Sequence, residues 1–426
     1  MDRGLTPERG SLDALFARTG STSEFGLERT IALLERLGNP HEKFPSFHVA
    51  GTNGKGSVVT TIYSLLRAKG RRVGKYMSPH LCLFSERIVV DEERIDADYV
   101  ERFLNRWMPA AEALGATFFE ITTAMAFDYF ASREVDVAVI ETGLGGRLDA
   151  TNVIRPIVAG ITSISIDHTE YLGKTEEAIA TEKAGIFKRS APSVIGEMST
   201  NARVAIYRAA ALSGVAAVID ASRLYKTSDV VVGADGTNFT LTHGGETARV
   251  TTGLIGAAQA ANTSVALSML KSAGADWSVS IDVARDVLPK VRLAGRFQRF
   301  EHFIFDVAHN PDGMASFART LAQIKPERPI VGVLGILADK NWREMMKILS
   351  SVVDRIILVQ PPGAPPSRAW NPVEALAFAN ETGIRASIDA DFGNAVTTRS
   401  EAETVVVTGS FHTVGDALML LGAPDV

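Results

Sequence analysis

The chain has a single cysteine, Cys82, in 426 residues, so neither an internal disulfide nor a four-thiolate zinc site can form. It has no run approaching ~18 uninterrupted apolar residues, and its opening residues, MDRGLTPERG, carry no apolar leader. A dominant charge is missing too: 44 basic against 49 acidic residues leave a net charge of −5, too little to recruit nucleic acid or an anionic membrane through a global field. Internal repeats and low-complexity tracts are absent. What remains is 46% hydrophobic and 22% charged, an ordinary globular composition. The length exceeds one compact core, and about 100–200 residues per domain predicts two or three units. These absences favour a cytoplasmic enzyme without nucleic-acid or membrane partners.

Apolar spacing then divides the chain into elements. Leu27, Ile31, Leu34 and Leu37 predict a helix over 22–37, stopped by Gly38-Asn39-Pro40. The apolar run 47–50 reads as a strand, GTNGKGS at 51–57 as a loop, and 58–68 as a helix. Further strands are expected at 72–76, 135–140 and 157–166, and helices at 98–114, 122–132 and 175–187. Short buried strands alternating with helices predict an α/β fold whose N-terminal domain is a P-loop-type, mostly parallel sheet. Over 217–252 the pattern alternates, with turns at Asp235-Gly236 and Gly244-Gly245, predicting a small antiparallel excursion. Helical spacing resumes over 259–273. Beyond a pivot at 293–297, apolar runs at 303–305, 330–334, 355–359 and 404–407 predict a smaller, Rossmann-like α/β domain. The expected domains are 1–294 and 295–426.

Gly51, Thr52, Asn53, Gly54, Lys55, Gly56 and Ser57 stand between a strand and a helix. Glycines let backbone N–H groups turn toward an anion, and the helix N-terminus adds partial positive charge. A lysine can reach the outer phosphates, and a serine hydroxyl can ligate magnesium. Gly56 separates Lys55 from Ser57, unlike the usual GxxxxGK[ST], yet the strand-loop-helix context favours ATP binding over a glycine-rich turn with a stray lysine. Glu141 ends one expected strand and His168 follows another. In an open parallel sheet such ends line the crevice from which the loop emerges. The hard oxygens of Ser57 and Glu141 suit magnesium bridging ATP phosphates, whereas His168 alone reads more readily as a hydrogen-bonded strand-end histidine. Ile179, Lys183 and Ile186 share one helical stripe, so Lys183 points inward. A buried ammonium is unfavourable. Either its charge pairs with a carboxylate, or the neutral amine takes up carbon dioxide and becomes a metal-binding carbamate.

Together these stretches resemble the folylpolyglutamate synthase/dihydrofolate synthase family, a branch of the Mur-ligase superfamily. The similar segments are GTNGKGS at 51–57, SPHL with FSERI over 78–88, FFEITT at 118–123, ETGLGGRLDATN at 141–152 and DHTEYLG with EKAGIFK over 167–188. AGRFQ at 294–298, DVAHNPDG at 306–313, GILADKNW at 335–342 and TGSFHTVGDA at 408–417 follow in family order. The resemblance implies an ATP-dependent ligase that activates a carboxylate as an acyl phosphate and captures it with the nitrogen of L-glutamate. Lys55, Glu141, His168 and Lys183 would carry the chemistry. Two magnesium ions are implied, one on Ser57 and Glu141 with Ser78 nearby, the other on Glu141, His168 and carbamylated Lys183; the pattern also leaves room for a monovalent cation. Lys55 and the loop amides would hold the ATP phosphates, Asn262 and Arg296 would contact the nucleotide, and Asp306 with His309 would close over it. The acceptor, dihydropteroate or folate, would lie along Phe118, Phe119, Glu120, Thr122, Leu148, Asp149 and Ala150, with Ser78 and His80 contributing. A monomer is the family-like expectation.

The chain departs from the family at Ala258-Gln259, where His-Gln is frequent, at Val307, where glycine is usual, and at Phe411-His412. A paralogous ligase acting on another carboxylate is the alternative these changes leave open. A dinucleotide oxidoreductase built on Gly143-Leu144-Gly145-Gly146 is disfavoured, because the third glycine and the following helix are missing. A nucleotide switch that does not ligate gives no reason for Lys183 with His168. Tyr171 and Trp342 read as packing residues, Cys82 as an inert small side chain, and 91–94 as a solvated turn.

Overall fold

The computed structural model describes residues 9–20, 26–189, 191–397, 400 and 402–423, so the expected helix start at 22–25 lies outside the described residues. Contacts divide the chain into two compact units, one from 1–80, 84–226 and 261–287, the other from 81–83, 227–260 and 288–426. The antiparallel excursion is shorter than the expected 217–252: 227–252 groups with the later residues, whereas 217–226 stays in the first unit, where 217–220 continues the sheet as a parallel strand because its residues pair with 192–195.

The first unit is built on β1 (Ser46–Ala50), β2 (Val73–Tyr76), β3 (Ile88–Val90), β4 (Glu93–Arg94), β5 (Val137–Glu141), β6 (Val158–Ile161), β7 (Pro192–Ile195) and β8 (Ala217–Asp220). Their spatial order is β4-β3-β2-β5-β1-β6-β7-β8. The run from β2 to β8 is parallel, and β3 and β4 add an antiparallel edge. Every residue of β1 and β5 is buried, as a parallel strand covered on both faces requires. The helix Lys55–Ala68 carries the chain from β1 past β5 to β2, while the link from β5 to β6 passes to the other side of β1. The winding thus reverses beside β1, where an open α/β sheet leaves a crevice at its C-terminal edge.

Among the boundaries that differ from the apolar spacing, three have a clear local setting. The helix after β1 begins at Lys55 because Gly54 adopts a left-handed N-cap (φ 86°), which puts Lys55, Gly56 and Ser57 in its first turn. The helix Phe118–Ser132 begins four residues early because Thr117 and Glu120 form a capping box, worth about 1 kcal/mol. Strand β6 stops at Ile161, and 162–168 becomes a loop although Ile164 and Ile166 continue the apolar run.

The second unit holds a three-stranded sheet of β9 (Lys226–Gly233), β10 (Gly236–His243) and β11 (Glu246–Thr252), with β10 and β11 antiparallel. Its larger sheet comprises β12 (Gln298–Phe300), β13 (Phe303–Asp306), β14 (Ile330–Leu334), β15 (Arg355–Leu358), β16 (Ala386–Ile388) and β17 (Thr404–Thr408), in the order β12-β13-β17-β14-β15-β16. Only β12 runs antiparallel to its neighbour. Trp342 packs in this core against Trp370, as expected. Tyr171 does not follow the packing expectation, being 51% exposed. The turn at 91–94 is tethered as well as solvated: Asp91 accepts from Val73 N and pairs with Arg67 and Arg72. No helix among the described residues is long and apolar enough to cross a membrane.

Candidate active site

The loop after β1 leaves no room for side chains at its glycines. Gly51 (φ +151°) and Gly54 (φ +86°) hold conformations that L side chains rarely adopt. A Cβ on Gly51 would lie 1.9 Å from Thr162 Oγ1, and one on Gly54 would lie 2.4 Å from Asn262 Oδ1. The chain after β6 fastens the loop. Thr52 N donates to Ser163 O (2.8 Å), Thr162 Oγ1 donates to Asn53 O (2.6 Å), and Ser165 N donates to Thr52 Oγ1 (3.1 Å). Sequence reasoning missed Thr162, Ser163 and Ser165. The available signal was a cluster of hydroxyl residues inside what looked like an uninterrupted strand.

Two lysines converge on one carbonyl. Lys55 Nζ donates to Gly51 O (3.1 Å) and Thr52 O (3.3 Å) and lies 3.9 Å from Glu141 Oε1 at the end of β5. Lys183, in the helix Glu176–Ala184, is 5% exposed and donates to the same Gly51 carbonyl at 2.9 Å. Burial, and then the charge of Lys55, lower the Lys183 amine from 10.5 to about 7, with Asp167 and Asp149 pulling the other way. Ser57 and Glu141 are buried, and Ser78 follows β2 at the same sheet edge.

Among the described residues no three His, Cys, Asp or Glu side chains gather into a metal cage. The expected set contains only two such groups, Glu141 and His168. Ser57 and Glu141 nevertheless offer the hard oxygens that magnesium takes when it also binds phosphate. A second ion requires Lys183 to cease being an ammonium, which has no lone pair to give. His168 sits in the left-handed region (φ 50°), where non-glycine residues are uncommon. Its N–H donates to Asp167 Oδ1 (2.8 Å), and Nε2 lies 3.8 Å from Asp167 Oδ2.

The residues expected to line the acceptor divide into two groups. Asp149 is buried, its carboxylate accepting from Leu144 N (2.7 Å), Thr151 N (3.0 Å) and Thr151 Oγ1, and burial raises its pKa. Thr151 Oγ1 in turn meets His48 Nε2 (2.8 Å), whose pKa burial pushes down to about 3. Asp149 therefore shapes its own loop, burying Ala150 and leaving Leu148 partly exposed. Arg147 N donates to Glu182 O (2.8 Å), and Asn152 Nδ2 donates to Arg147 O and Gly185 O, joining that loop to the end of the Lys183 helix. Glu120 is likewise engaged, accepting from Thr117 N (2.7 Å) and Arg29 Nε (3.1 Å), and Thr122 donates back to Phe118 O (2.8 Å). The second group is aromatic. Phe118 stacks on Phe16 with centroids 5.6 Å apart, His80 meets Phe16 and Phe84 edge-on, and Phe119 closes over Gly143.

In the second unit Asp306 ends β13, and its two oxygens accept from Phe297 N and Ala308 N, each at 2.9 Å. Burial raises its pKa from 3.8 to about 6, against the opposing pull of Arg296. His309 Nδ1 lies 2.9 Å from Val307 O. The Phe411 ring lies 5.3 Å from Arg296 Cζ and 5.6 Å from the His309 ring, bringing those two expected residues together. Val307 is not among the residues with positive φ, so the position tolerates its branched side chain.

Comparison with known proteins adds two domain matches: residues 49–270 to the Mur ligase middle domain, and residues 295–411 to the Mur ligase glutamate ligase domain. The chain is 33% identical over 409 residues to the dihydrofolate synthase/folylpolyglutamate synthase of Escherichia coli, covering 94% of this chain and 92% of that protein. Its structure is similar to that of Mycobacterium tuberculosis folylpolyglutamate synthase complexed with ADP, with a TM-score of 0.86 and 32% identity over 99% of this chain and 100% of the other. It is also similar to Escherichia coli FolC in complex with DHPP and ADP, with a TM-score of 0.84 and 31% identity over 99% of both chains.

Proposed function

Because this chain belongs to the folylpolyglutamate synthase/dihydrofolate synthase family of Mur-type ligases, we propose that it joins L-glutamate to the carboxylate of dihydropteroate or a folate, with ATP as phosphoryl donor. The acceptor carboxylate attacks the γ-phosphorus and releases ADP. The glutamate nitrogen then attacks the acyl phosphate, loses a proton, and expels inorganic phosphate as the amide forms. Residues 1–294 would hold the ATP phosphates and the acceptor, and 295–426 would add nucleotide contacts and serve glutamate.

The observation that carries this reading is the meeting of Lys55, Lys183 and the Glu141 strand end around the Gly51 carbonyl. Phosphoryl transfer asks for neutralised charge and fixed positions more than for acid–base groups. Lys55 and the first-turn amides of its helix are suited to the ATP phosphates, and Asn262 supports the tip of the loop at Gly54. Ser57 and Glu141 would hold a magnesium ion, which when bound neutralises charge developing on the phosphate oxygens. Lys183, at about 7, keeps a large neutral fraction at physiological pH. Its nitrogen can therefore bond to carbon dioxide and shed a proton, giving a carbamate that, with His168 and Glu141, would hold a second ion. In the second unit, Arg296 and His309, gathered at the Phe411 ring, would serve as nucleotide contacts while Asp306 keeps their loop in shape.

Purified enzyme supplied with ATP, magnesium, glutamate and, in turn, dihydropteroate, dihydrofolate and tetrahydrofolate is expected to release ADP only when acceptor and glutamate are both present. Equal release in their absence would reduce the protein to a bare ATPase. Turnover confined to a non-pterin carboxylate would identify a paralogous ligase.

A further inference from the structure

Arg87 was not singled out for any role, and its setting is unusual. It closes the short turn Phe84–Arg87 ahead of β3 and is 7% exposed. Its backbone accepts from Met77 N (3.0 Å), so it is fixed beside the segment leading to Ser78. Its guanidinium carbon stands 5.1 Å from the Phe118 ring centre. Its Nε–H donates to His80 Nδ1 at 2.7 Å. Burial lowers its pKa, and Tyr76, Glu86 and Glu141 pull the other way, favouring the ionised form.

An arginine Nε can only donate, so the His80 Nδ1 facing it must be the bare, accepting nitrogen. A neutral imidazole carries one N–H, and with Nδ1 bare that hydrogen is on Nε2. We propose that Arg87 is a positioning residue that holds His80 in the Nε2–H tautomer, so that His80 offers a hydrogen-bond donor to a carbonyl or ring-nitrogen acceptor on a pterin-like heteroaromatic substrate. The inference rests on the reading of His80 as part of the acceptor site and supplies the reason for its protonation pattern. Lysine at position 87 would keep a positive charge but not the planar fork, and its flexible ammonium cannot reproduce both the Phe118 contact and the directed Nε–H.

Long-range proton–nitrogen correlation spectra of 15N-labelled protein read the tautomer directly, with His80→Gln identifying the signal. The wild type is expected to give a bare Nδ1 and a protonated Nε2 at His80; the opposite pattern overturns the proposal without the need for any variant. Arg87→Lys is expected to return the signal to a mixture of tautomers. It should also raise the KM for the pterin acceptor about tenfold, the worth of one buried hydrogen bond, while the KM for ATP stays put. An unchanged tautomer and acceptor KM in folded Arg87→Lys protein also refutes it. Separately, an unaltered acceptor KM in His80→Ala would remove His80 from the acceptor site, which the wild-type spectrum leaves distinguishable from failure of the Arg87 lock.

Discussion

Both units end a buried parallel strand with a carboxylate, Glu141 on β5 and Asp306 on β13, and the two carboxylates are used in opposite ways. Glu141 looks toward an ammonium, Lys55 at 3.9 Å, in a place where two lysines already crowd one carbonyl. Asp306 has both oxygens committed to backbone N–H groups and so serves as a clamp for the turns at 297 and 308. Position at a strand end therefore does not decide whether an acid acts on a ligand or on the fold. The surrounding donors decide it: side-chain cations leave a carboxylate free to exchange partners, whereas rigid amides hold it.

The largest effect is expected at the crowded end of the first sheet. Lys183→Met should lower ligation by about a hundredfold or more, in the range typical for loss of a metal-site partner. Short carboxylic acids should partly restore Lys183→Ala, and high activity without them would sink the carbamate. Because the folded-state pKa of Lys183 is about 7 against an ordinary 10.5, the penalty for keeping it charged is complete below about pH 7 and fades as pH climbs toward 10.5. The methionine variant should thus melt no lower than wild type at pH 6, as a thermal melt will reveal. Next comes Gly51→Ala, whose Cβ would land 1.9 Å from Thr162 Oγ1 at a positive φ. A strain of the order of 2–3 kcal/mol should lower Tm by roughly 5–10 °C and weaken ADP binding, and a variant that melts and binds like wild type would contradict the close-packed loop.

A smaller effect is expected at the clamp. With its folded pKa raised to about 6 from 3.8, Asp306 supports folding most fully below about pH 4 and loses that contribution as pH rises through 6. Asp306→Asn should flatten this part of the stability-versus-pH curve, a change of about 3 kcal/mol, and a curve that keeps its slope would place the titration elsewhere. Smallest of all is Glu182→Gln, which removes the Arg147 pair on a side chain 55% exposed at the arginine. Chemical denaturation should register no more than about 1 kcal/mol. A larger loss would mean that surface charge, and not the Asp149 and Asn152 hydrogen bonds, holds the loop.

The parallel sheets were legible because strands covered on both faces are written as unbroken apolar runs, as in β5 and β17. The phosphate loop was legible from its glycines, but its helix start was not, since Lys55-Gly56-Ser57 has no apolar periodicity and Gly54 sets the cap. Strand β6 was overextended because Ile164 and Ile166 imitate a strand while the backbone between them serves the loop. Glu120 carried a visible local signature, Thr-x-x-Glu, that the stronger aromatic motif around it obscured. Arg87 had no legible role, because its partner His80 is seven residues away across an irregular turn with no period to betray the contact.

The pairing of β1 has a consequence for biosynthesis. Its neighbours in the sheet are β5 and β6, whose register partners run to Glu141 and Ile161, far downstream of Ser46. The first unit also draws in residues 261–287, made only after 227–260 of the second. A nascent chain emerging at about 5–20 residues per second therefore carries an unpartnered central strand for many seconds. Such a polypeptide invites chaperone capture on the ribosome, and truncation anywhere before residue 287 should yield aggregates rather than a smaller working enzyme.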